Sequence, residues 1–66
     1  MSVLGNNIYE ARIALDWSQR EAADRLGVTT TTWSRWECDQ ATPGVSHLQS
    51  IAELLGTSVS DLTRGV

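Results

Sequence analysis

Apolar residues recur along this chain at helical spacing. Leu4, Ile8, Ala11 and Leu15 follow the i, i+4, i+7 rhythm of one buried stripe, with Arg12 beside it. The spacing predicts a first helix over about residues 7–15, capped by Asn6 or Asn7 and preceded by a flexible tail, residues 1–6. Ala22, Ala23 and Leu26 supply the apolar face of a second helix. Ser18 followed three residues later by Glu21 is a capping box that starts it, and Gly27 stops it by accepting a left-handed backbone. Trp17, just ahead of the cap, suits a staple to Ala22. Thr29 caps a third helix, from Thr30 to Glu37 or Cys38, with Trp33 and Trp36 on one face. Asp39, Pro43 and Gly44 mark a loop. Ser46 is the expected cap of a fourth helix bearing Leu48, Ile51, Ala52, Leu54 and Leu55 and ending at Gly56. Ser58 caps a short last helix with Val59 and Leu62 on one side. The pattern is all-α, with five helices.

The second and third of these helices are short and joined by a three-residue turn containing glycine. That is a helix-turn-helix over about residues 18–37, the motif whose second helix enters the DNA major groove. With Trp33 and Trp36 pointing inward, a turn of about 100° per residue carries Thr30, Thr31, Ser34 and Arg35 outward. Residues near the N-terminal end of a recognition helix reach base edges. Thr30 and Thr31 can donate, accept, or set a methyl against thymine, and Arg35 is suited to a bidentate pair with guanine. Gln19 lies at the N-terminus of the second helix, where unpaired amides and the positive helix end favour a phosphate. Thr29, Thr32, Gln40 and Thr42 are neutral groups able to hydrogen-bond phosphates. The threonine run also has a plainer reading, one cap followed by polar β-branched residues. Glu21 and Arg25 are spaced for an ordinary helix salt bridge.

Composition narrows the function further. Sixty-six residues make a single small domain, residues 1–66, able to bury one modest core. No run of about 18 apolar residues exists to span a membrane. The first residues lack the basic start and apolar run of a signal peptide, so a cytoplasmic location is expected. Cys38 is the only cysteine and His47 the only histidine, which leaves no internal disulfide, no structural zinc site and no expected metal or cofactor. Without a His–carboxylate cluster or a Gly-rich phosphate loop, no enzyme can be constructed from these residues. The charge stands against DNA: five basic residues, all arginine, oppose eight acidic ones for a net −3.

Trp17-Ser18-Gln19, Ala23, Leu26-Gly27-Val28-Thr29 and Trp33-Ser34-Arg35-Trp36-Glu37 closely resemble the Cro- and phage-repressor-type, or XRE, helix-turn-helix family. The likeness continues through Pro43, Leu48, Ile51-Ala52-Glu53-Leu54-Leu55-Gly56 and Leu62. It implies a compact five-helix lambda-repressor-like domain. It also implies an ion pair between Arg12 and Glu37, a phosphate contact and bracing role for Gln19, and base reading by Arg35. The surface around Val59 and Leu62 forms the dimer contact in such repressors; from the residues alone the two could equally be the lid of the core. Where relatives often carry a glycine and a basic residue, this chain has Cys38-Asp39-Gln40. The resemblance implies a sequence-specific regulator, a repressor binding a palindromic operator in double-stranded DNA as a homodimer. The rival reading is a protein-interaction module, such as an antitoxin or an accessory factor with a protein partner.

Overall fold

The computed structural model describes residues 3–65. Five helices follow one another: α1 (Val3–Ala14), α2 (Gln19–Leu26), α3 (Thr30–Glu37), α4 (Val45–Leu55) and α5 (Val59–Leu62). Helix α3 packs against α1 and α2, α5 against α1 and α4, and α4 also against α2, and the centre is filled by Ile8, Ala22, Ala23, Trp33, Trp36, Ile51, Ala52, Leu55 and Leu62. Trp33, Ile8 and Ile51 are completely buried. Burying an aliphatic side chain of this size contributes roughly 1.5–3 kcal/mol over leaving it exposed. The small alanines on α2 are as informative as the tryptophans. Two buried alanines let α2 approach closely enough for the indoles of α3 to fill the space between.

The punctuation of α2 and α3 follows directly from the sequence. The Ser18 hydroxyl accepts from the Glu21 amide at 3.0 Å, and the Glu21 carboxylate accepts from the Ser18 amide at 3.2 Å. At the other end Gly27 takes φ 86°, and the amides of Gly27 and Val28 both reach the Ala23 carbonyl, at 2.9 and 3.0 Å. This closes α2 with a reversal that a β-carbon would strain. Thr29 then caps α3 through its hydroxyl, which accepts from the Thr32 amide at 3.1 Å.

Helix α1 departs from the pattern. It begins by Val3, so residues 3–6 are helical and not a tail. The reason is tertiary. A β-carbon on Gly5 would stand 2.7 Å from the Glu37 carbonyl oxygen and 2.9 Å from that of Trp36, so only glycine lets the first turn lie against the end of α3. Neither asparagine caps the helix. Asn7 sits within it, and its amide donates to the carbonyls of Leu62 at 2.8 Å and Arg64 at 3.0 Å, joining α1 to the end of α5. The apolar stripe also ends early: Leu15 lies beyond the helix and is exposed, while Arg12 faces inward and is buried.

Helix α4 starts one residue before Ser46, with Gly44 in the cap position and no side-chain cap. Pro43 is buried, which anchors the loop and lets the helix begin just beyond it. Leu62 is 1% exposed and closes the core, so its side chain offers no surface to a second copy; Val59 packs half-buried beside it.

Candidate nucleic-acid interface

Helix α3 has two chemically opposite faces. Trp33, Trp36 and Glu37 fall within an arc of about 100° and are buried, whereas Thr30, Thr31, Ser34 and Arg35 share the adjoining arc. Thr30, Thr31 and Arg35 are exposed, and Ser34 and Thr32 are half-buried. The outward arc therefore carries only hydroxyls and one guanidinium.

The inward face is held by a polar knot around Glu37. The Glu37 carboxylate receives Arg12 twice, from Nε to Oε2 at 2.7 Å and from Nη2 to Oε1 at 3.0 Å. Gln19 Nε2 donates to Oε1 at 2.9 Å, and the Trp33 indole Nε1 donates to Oε2 at 2.5 Å. Arg12 Nη1 reaches further, to the Trp17 carbonyl at 2.6 Å. One carboxylate thus ties α3 to α1, to the N-terminus of α2 and to the connection between them. Burial pushes the Glu37 carboxyl pKa up, but hydrogen bonds from Arg12, Gln19 and Trp33, with the Arg12 charge, outweigh it and hold the group below the ordinary glutamate value. No buried side-chain nitrogen or oxygen among the described residues lacks a hydrogen-bond partner. The two Arg12 donors and the bracing by Gln19 agree with what the resemblance implies, and the Trp33 donor is the one not anticipated. It was within reach of the residue pattern, since Trp33 and Glu37 are four apart on one helix.

Gln19, half-buried, keeps one amide hydrogen and its carbonyl oxygen clear of the Glu37 bond while its main chain opens α2. Thr29 donates its own hydroxyl proton to Thr32 Oγ1 at 2.9 Å, which leaves the Thr32 proton directed elsewhere. After α3 the backbone turns left-handed at Asp39, φ 64°, and the amides of Gln40 and Ala41 return to the Arg35 carbonyl at 2.9 and 3.3 Å. Gln40 and Thr42 are exposed on this loop, and the free thiol of Cys38 is exposed at the helix end. His47 lies against Trp36, ring centroids 5.2 Å apart, and so shields the edge of the core.

The arginines divide by partner. Arg12 is buried with Glu37, Arg20 faces Asp24 at 3.9 Å, and Arg64 pairs with Asp61 at 2.5 Å. Arg25 forms no bridge to Glu21, which is engaged in the capping box. Its guanidinium lies 4.5 Å from the Trp17 ring centroid instead. Arg35 has neither an acidic nor an aromatic partner among the described residues.

Comparison with known proteins agrees with this geometry. A family model described as helix-turn-helix, HTH_3, matches residues 8–62. The chain is 29% identical over 63 residues to the SPbeta prophage-derived uncharacterized HTH-type transcriptional regulator YonR of Bacillus subtilis (strain 168), a match covering 96% of this chain and 58% of that protein. The chain thus spans little more than half the length of this relative. No solved structure matches it. The family match runs from the first core residue of α1 to the last residue of α5 and takes in the capped turn and the Glu37 knot. The chain belongs to the HTH_3 helix-turn-helix family.

Proposed function

We propose that this domain is a sequence-specific DNA-binding transcriptional regulator. One observation carries the reading: α3 is fixed from behind by a four-donor carboxylate knot and presents outward only hydrogen-bonding side chains and an arginine with no acidic partner among the described residues. A helix so oriented can lie in a major groove, with Thr30, Thr31, Ser34 and Arg35 toward base edges. Gln19, Thr29, Thr32, Gln40 and Thr42 flank that arc as neutral phosphate partners. The similarity to the HTH-type transcriptional regulator of Bacillus subtilis supports the same reading.

The domain acts as a repressor in the cytoplasm, as a homodimer whose two α3 helices enter successive major grooves of a palindromic operator about 34 Å apart. Val59 keeps part of its surface for that contact. The net charge of −3 favours the second reading, a module that docks on a basic protein surface such as a toxin. Selection from random duplex DNA separates the two. An enriched inverted repeat with half-sites one helical turn apart is expected; no enrichment by the folded protein would overturn DNA recognition in favour of a protein partner.

A further inference from the structure

The charge groups around α3 are arranged in a way that the DNA reading alone does not require. Arg12 is buried and neutralised, Arg64 is paired on α5, and Arg25 lies on Trp17 at the α1–α2 corner. Arg20, next to Gln19, faces Asp24. The carboxylate of Glu21 closes the cap at the N-terminus of α2, and Asp39 follows the end of α3 with its carboxylate beside Gly5 of α1. Arg35 is the one arginine with neither a carboxylate nor a ring partner among the described residues, and the outward arc of α3 otherwise carries neutral hydroxyls.

We infer that the domain recognises duplex DNA through neutral hydrogen-bond donors and base-edge contacts, with almost no phosphate neutralisation. Its affinity then falls only modestly with salt, by about one phosphate's worth per domain, and its binding to random DNA is very weak. Counterion release scales with the number of phosphates neutralised, at about −0.9 in log K per log salt for each. Non-specific binding rests on that same release, so a face that forgoes it gives up general affinity and keeps discrimination between sequences. A sparse cationic face also means that two half-sites engaged together, and not long-range attraction, hold the protein on its site. The inference rests on the DNA reading above and deepens it.

The test uses the full chain and the duplex enriched by selection, titrated between 50 and 200 mM salt, with stoichiometry from sedimentation. The expected slope is about −1 per domain, a three- to fourfold loss of affinity across that range for each domain bound. A steeper slope overturns the inference and leaves DNA recognition standing. Failure of any duplex to bind the folded protein overturns both. Gln40→Lys supplies a second arm: it should steepen the slope by about 0.9 and tighten random DNA more than the selected site. An unchanged slope in that variant would also overturn the inference, because the loop would then lie off the phosphate path.

Discussion

The two faces of α3 differ in how tightly their side chains are determined. On the inward face every polar atom has a partner: Glu37 alone gathers donors from Arg12, Gln19 and Trp33, and the surrounding indoles are buried. On the outward face Thr30, Thr31 and Arg35 make no side-chain hydrogen bond to the rest of the described chain, and substitution there leaves the core untouched. The inward face fixes where the helix sits, while the outward face is left to determine what it touches. Stability and recognition are thereby separable on eight residues of one helix.

Breaking the inward face should have the largest effect. Arg12→Met leaves a buried carboxylate with only Gln19 and Trp33 as donors, and should cost about 3–5 kcal/mol in denaturant-measured stability, enough to threaten folding of so small a domain. The same knot sets the acid limit. Because Glu37 titrates lower in the folded protein than in the unfolded chain, its contribution is fully present above the unfolded value of about 4.3. It is lost as pH falls through the lower, folded value. Thermal melts should therefore show a steep loss of stability below about pH 4.3 that is reduced in a Glu37→Gln variant. An equal loss in that variant would assign the acid limit to other carboxylates.

The outward face should respond the other way. Arg35→Ala is expected to cost about 1–3 kcal/mol on the selected site and to relax one base position, with stability changed by no more than about 0.5 kcal/mol. Equal weakening on every duplex would make Arg35 a phosphate contact. Trp33→Phe keeps the ring in the core and removes only the donor to Glu37, so a stability loss of about 1–3 kcal/mol with base preference unaltered is the expected result. Thr29 stands on the boundary between the two faces. Thr29→Ala should lose about 1 kcal/mol of stability through the missing cap and also weaken DNA binding without changing its consensus.

What could be read in advance were the features decided locally. Ser18, Glu21, Gly27 and Thr29 act on amides within a few residues of themselves, so their capping roles were legible and the structure contains them. The features missed were decided across the fold. Asn6 and Asn7 have the chemistry of caps and predict a start near residue 7, but the close approach of Gly5 to the α3 carbonyls lets α1 begin by Val3. Ser46 has the chemistry of a cap, but beyond the buried Pro43 the cap falls at Gly44, two residues earlier. Arg25 chose the Trp17 ring over Glu21 because the capping box already held that carboxylate. For the candidate interface, helical periodicity was enough to assign the outward arc, whereas the pairing of the other arginines, which leaves Arg35 with no partner among the described residues, needed three dimensions.

The most direct test of the account is a backbone amide chemical-shift titration of the protein with its selected duplex. Shifts concentrated at Gln19, residues 29–35 and residues 40–42, with the far end of α4 and α5 little changed outside a dimer contact at Val59, are the predicted result. Shifts centred on the outer face of α1, with residues 30–35 unmoved, would contradict it, because the helix held by the Glu37 knot would then not be the one that reads DNA.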